Sequence, residues 1–140
     1  MLLHEERDHR LCLASLIAKC PWTARALLKI ELRPCALLGL SFDPNVLDQQ
    51  GVLRAISALR DGRAGQASVG AQAFFAARDP VRFKNIKQCT MVDAPATETF
   101  LIQLSTAGFL GFRPRLHYAL VSQRASGELT LLALSEPQKA

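Results

Sequence analysis

Residues 116–134 read Leu116-His117-Tyr118-Ala119-Leu120-Val121-Ser122-Gln123, then Arg124-Ala125-Ser126-Gly127, then Glu128-Leu129-Thr130-Leu131-Leu132-Ala133-Leu134. Two apolar runs flank four turn-forming residues. The spacing predicts strands at 116–123 and 128–134 joined as a hairpin, with Gly127 available for a left-handed position. Leu129 and Leu131 are expected on one face of the closing strand, with Leu132 and Leu134 on the other. A strand apolar on both faces is expected to be covered on both sides.

Working upstream, Phe83 to Val92 reads as a strand that leads into Asp93-Ala94-Pro95, a helix start. Phe100, Leu101 and Leu104 form a helical stripe with Ala107, and Gly108 is a natural stop. Residues 66–78 read two ways. Ala67, Val69, Ala71 and Ala73 alternate with polar or small residues, as in a strand. The alanine content and the Phe74-Phe75-Ala76-Ala77 end favour a helix. Val52 to Leu59 is likewise open between helix and strand. Asp43-Pro44 is a helix start, and Gly51 interrupts the segment after it.

Near the beginning, residues 4–19 are expected to be helical. Leu13, Leu16, Ile17 and Cys20 recur at helical spacing, and Pro21 ends the pattern. Leu28, Ile30 and Leu32 alternate with charged residues as a half-exposed strand up to Pro34. Cys35 to Phe42 reads as a buried strand able to pair with it.

The chain has 140 residues, the size of one domain. It is 49% hydrophobic and 21% charged, which excludes a disordered tail or a collagen-like repeat. No run of about 18 uncharged apolar residues is present, so no membrane span is expected. Met1-Leu2-Leu3 is followed at once by His4, Glu5, Glu6, Arg7 and Asp8, the reverse of a secretory signal. A soluble cytoplasmic protein is expected. Cys12, Cys20, Cys35 and Cys89 have irregular gaps and no C-x-x-C pair, so no metal site is expected.

The net charge of +5 is concentrated. Arg54, Arg60, Arg63, Arg78, Arg82, Lys84 and Lys87 face only Asp61 and Asp79 within residues 54–87, and the rest of the chain is balanced. Clustered arginine suits a phosphate-bearing partner, because the guanidinium fork matches phosphate oxygens. The plainer reading is a solvated basic surface.

The element order resembles the GNAT superfamily of acyl-CoA-dependent N-acyltransferases over residues 25–135. In that reading 26–33, 35–42 and 52–58 are strands, and 66–78 is a helix. Thr90-Met91-Val92-Asp93-Ala94 is similar to the family's strand ending in Val-Asp-Ala. Leu110-Gly111-Phe112-Arg113-Pro114 is similar to its Leu-Gly-Phe turn, and Gly127–Leu134 to its closing strand. The resemblance implies an α+β fold with a mixed, mostly antiparallel central sheet, flanking helices and a C-terminal hairpin. It implies a single domain over 1–140 that transfers an acetyl or similar acyl group from acetyl-CoA, or another acyl-CoA, to an amine acceptor. The acyl-CoA site would be Arg60, Gly62, Arg63, Ala64, Gly65 and Gln66. A Gly-rich turn at a helix start offers backbone N–H groups and a positive dipole end to a pyrophosphate.

The sequence departs from the family pattern in two places. Arg63 stands at the first glycine position if Arg60 opens the motif. Ala107 or Leu104 stands where a catalytic Tyr belongs, and no carboxylate occurs in 52–59. Proton transfer then falls to His117, Tyr118 or Cys89. The same departures suit a catalytically inactive protein of this fold that acts by binding, with a protein partner or as a homodimer. A third reading is nucleic-acid binding through segment 54–87.

Overall fold

The computed structural model describes residues 16–47, 51–107 and 114–139. The protein is α+β and is built on an antiparallel sheet. The order across that sheet is β5 (Gln66–Ala67), β6 (Ile86–Asp93), β7 (Thr99–Thr106) and β8 (Arg115–Gln123). The far side of β8 is shared end to end by β9 (Leu129–Leu134) and β10 (Gln138–Lys139). Two small antiparallel ribbons precede it. One pairs β1 (Ile17–Lys19) with β2 (Ala26–Leu28), and the other pairs β3 (Arg33–Pro34) with β4 (Ser41–Phe42).

The sheet register sorts side chains onto two apolar faces. Leu101, Leu116, Tyr118 and Leu120 point to one side. There they pack with Val52, Ile56 and Leu59 of helix α2 (Val52–Arg60) and with Cys20, Trp22, Cys35 and Phe42 from the ribbons. Cys89, Ile102, Leu104, Ala119 and Val121 point to the other side. They pack with Ala71 and Phe75 of helix α3 (Val69–Arg78), and with Phe83. The central strands are thus covered on both faces. β7 and β8 are accordingly near-continuous in buried residues rather than alternating.

Several expectations are corrected. Residues 52–58 form α2, not a strand. Val52, Ile56 and Leu59 recur at helical spacing and are buried, while Leu53, Arg54, Ser57 and Arg60 are exposed. Residues 99–106 form β7, not a helix. The stripe of Phe100, Leu101 and Leu104 arises because both faces of a central strand are buried, which imitates helical spacing. The expected helix over 66–78 begins only at Val69, after β5 and the cap residue Ser68, whose Oγ accepts the Ala71 N–H at 3.4 Å.

The strand expected over 26–33 stops at Leu28, gives way to a 3-10 turn over Lys29–Glu31, and resumes at Arg33. The strand expected over 35–42 is reduced to β4, because residues 36–38 turn. That turn brings Gly39 (φ +74°) opposite Cys35, whose carbonyl accepts the Gly39 N–H at 2.8 Å. The two segments do pair, but only as Arg33 with Phe42 and Pro34 with Ser41, so Pro34 belongs to the ladder and the reversal falls after it. Asp43-Pro44 does start a helix, α1 (Pro44–Leu47). The helix expected over 4–19 lies largely outside the described residues, and its last residues, Ile17–Lys19, are strand β1. The turn at 110–114 lies outside the described residues apart from Pro114.

The closing hairpin forms as expected, with Gly127 at φ +91°. Its face assignment differs in one respect. A register shift between Leu120 and Val121 leaves Leu131 and Leu132 together opposite Val121. Leu134 therefore joins Leu129 and Leu131 on the α3 side, and Ala133 falls on the α2 side.

Candidate functional site

The loop expected to cradle phosphates joins α2 to β5. Arg60 is the exposed last residue of α2, and Asp61 caps the helix. Arg63 is held locally: its guanidinium lies 3.2 Å from Asp61 Oδ2 and 3.5 Å from Ser57 Oγ. Gly62 (φ +69°) faces open space. Gly65 (φ +111°) does not, because a Cβ there would come 2.7 Å from Leu59 Cδ2 and 3.3 Å from the Met91 carbonyl oxygen. That glycine lets the chain pass close to β6, after which Gln66 pairs with Met91. Ala64 is exposed between the two glycines. The loop enters a strand, and α3 starts three residues beyond Gln66.

The three residues expected to move protons are not brought together. Tyr118 points to the α2 side, whereas Cys89 and His117 point to the α3 side. Cys89 pairs with Leu104, and Leu104 pairs with His117. Thiol and imidazole are therefore two strand spacings apart, about 10 Å, with Leu104 between them. Burial pushes the Cys89 thiol up to about 11, so it is protonated at neutral pH. Tyr118 is only 2% exposed, its hydroxyl has no partner among the described residues, and its pKa is raised chiefly by burial.

His117 is also 2% exposed. Its Nε2 lies 3.0 Å from Thr106 Oγ1, and its ring meets Phe83 edge-on at 5.1 Å. Burial, with Arg82 and Arg115 adding, lowers its pKa from 6.5 to about 4, so the imidazole is neutral at pH 7.

The basic residues of 54–87 do not form one stripe. Arg54 and Arg60 belong to α2, while Arg78 ends α3 on the opposite face of the sheet. Among the described residues no three His, Cys, Asp or Glu side chains converge as metal ligands. No helix among them is long and apolar enough to cross a membrane.

The fold does build a cleft on the α3 side. It has a volume of about 370 Å3 and lies where the first half of α3 leans over the sheet. Ser68, Gly70, Ala71 and Phe74 form one wall. Met91, Phe100, Ile102 and Val121 form the floor, and Gln123, Gly127 and Leu129 of the hairpin form the other wall. The register explains the floor: Met91 pairs with Ile102, and Phe100 with Val121, so all four share a face. Polar groups stand only at the rim. The Ser68 hydroxyl accepts from the helix and retains its proton to donate. Gln123 donates through Nε2 to the Gly127 carbonyl at 3.3 Å, which leaves its amide oxygen as an acceptor.

None of the cleft residues stands out as functional in the sequence. The strand expected over 116–123 places Val121 on the same face as His117 and Ala119 by its two-residue period. It does not say which helix leaves that face partly open.

No family model, no curated protein and no solved structure matches the chain.

Proposed function

We propose that the protein is a non-catalytic binding module that holds a small apolar ligand, of short acyl or aryl size, in the cleft between α3 and the sheet. The observation that carries this reading is the cleft itself. Its volume of about 370 Å3 and its mostly apolar lining, with a few polar groups at the rim, match a small-molecule pocket. The lining comes mainly from helix and strand, so little order has to be gained on binding. The burial of His117, Tyr118 and Cys89 supports binding over catalysis, since a general acid or base has to reach its substrate. The resemblance to the acyl-CoA-dependent N-acyltransferases makes an acyl-CoA the ligand to try first.

The test is methyl NMR of the Met91 and Ile102 signals with octanoyl-CoA and, separately, with coenzyme A. Saturable shifts with octanoyl-CoA and none with coenzyme A are expected. Gly70→Leu is expected to abolish them without loss of folding, because a Cβ at Gly70 meets nothing within 4 Å. Unshifted methyl signals in the wild type would overturn the cleft reading. Release of free thiol from octanoyl-CoA in the presence of an amine would replace the non-catalytic reading with the acyltransferase one.

A further inference from the structure

At the other end of the same sheet face, three polar side chains, Thr106, Arg115 and Arg82, collect around the imidazole of His117. Leu104 pairs with His117 and Thr106 with Arg115, so Thr106, Arg115 and His117 share the α3 side at the start of β8. Arg82 reaches them from the turn after α3. Its guanidinium carbon lies 5.6 Å over the Phe83 ring, whose edge meets His117. A terminal nitrogen of Arg82 donates to the Ser135 carbonyl.

Among the described residues, two buried atoms in this cluster have no partner: His117 Nδ1 and Arg82 Nε. The nearby acids do not answer them. Asp79 Oδ1 takes the backbone N–H of Arg82 at 3.0 Å rather than its guanidinium, and Glu136 contributes its backbone carbonyl to Ser135 Oγ. Two guanidinium groups therefore act on a buried imidazole with no carboxylate of the described residues between them.

We infer that Arg82, Arg115 and His117, with Thr106 behind them, form a binding site for an oxyanion of the phosphate or sulfate class. The anion accepts from Arg82 Nε–H and from His117 Nδ1–H. With Nδ1 protonated, His117 Nε2 either accepts from the Thr106 hydroxyl or donates to it in the imidazolium form. The negative charge offsets the mutual repulsion of the two arginines, and a charge-assisted bond at each buried atom is stronger than a neutral one. The site shares no residue with the apolar cleft and stands independently of it.

The test follows the His117 ring signals by NMR during titration with sodium sulfate against sodium chloride at equal ionic strength. Sulfate keeps its charge between pH 4 and pH 8, so any pH dependence belongs to the protein. A saturable sulfate effect on His117 is expected, together with a rise in its pKa. Binding that draws a proton onto the ring tightens as pH falls, by about tenfold from pH 7 to pH 5. Arg115→Gln, at an exposed position that leaves the fold intact, is expected to weaken binding about tenfold. Competition by glycerol 3-phosphate would assign the site to phosphoryl groups of larger molecules, and its failure to compete would assign it to the free ion. Either result supports the site. A His117 signal that responds equally to chloride, or equally to sulfate in Arg115→Gln, would overturn it.

Discussion

His117 is the residue at which burial and charge act in the same direction. Its pKa of about 4 in the folded protein lies below the unfolded value of 6.5, so the unfolded chain binds the proton more readily. Stability is therefore unaffected above pH 6.5 and falls as pH drops from 6.5 towards 4. The loss is on the order of 3 kcal/mol in chloride buffer. Urea unfolding at pH 7 and pH 4 is expected to show a smaller difference for His117→Gln than for the wild type, since Gln cannot titrate. An equal difference would mean that the ring is not held neutral by the fold.

Glycine supplies a second prediction at this scale. Gly65→Ala places a Cβ against Leu59 and the Met91 carbonyl at a positive φ, and is expected to cost about 1–3 kcal/mol. Gly62→Ala, also at positive φ but in open space, is expected to cost only about 1 kcal/mol. Thermal melts of the two variants check the order.

Helix α3 both covers the core and walls the cleft. Its stability leans on the Ser68 cap, because it is only ten residues long and has no acid in its first turn. Ser68→Ala is expected to lower stability by about 1 kcal/mol and to loosen the cleft wall. The checks are Tm and hydrogen exchange at residues 69–72. The hairpin behaves differently. β9 fills the α3-side core with Leu129, Leu131 and Leu134, and β10 follows it on the same edge of β8. Truncation before Gly127 removes both strands and exposes β8. It is expected to abolish cooperative unfolding, and a sharp melt in the truncated chain would refute that dependence.

For the whole molecule, the arrangement is a sheet with unlike covers. On one side α2 and the two ribbons bury Tyr118, Leu120 and Leu101 completely or nearly so. On the other side α3 packs mainly over β6, and the space beside it is the cleft. A ligand that fills the cleft adds apolar contact to an existing surface. Saturating octanoyl-CoA is therefore expected to raise Tm for the wild type and leave Gly70→Leu unchanged.

The features that the sequence determined by itself are local. The closing hairpin is set by Arg124–Gly127 between two apolar runs, because a tight turn pairs the residues that flank it, although the register shift at Val121 lies beyond its reach. The helix start at Asp43-Pro44 comes from capping residues close at hand, whereas composition alone left 66–78 open between helix and strand. Tertiary structure decided the identities of 52–60 and 99–106. Both segments carry enough apolar residues to serve as helix or strand. In β7 the covering of both sheet faces erased the alternation that would have marked a strand. The candidate site divides in the same way. Cys89, His117 and Tyr118 are all in strands, as expected, yet which of them share a face depends on register across three strands. The cleft and the Arg82–Arg115–His117 cluster join residues from distant segments. Such juxtapositions come from packing, which no local pattern of residues encodes.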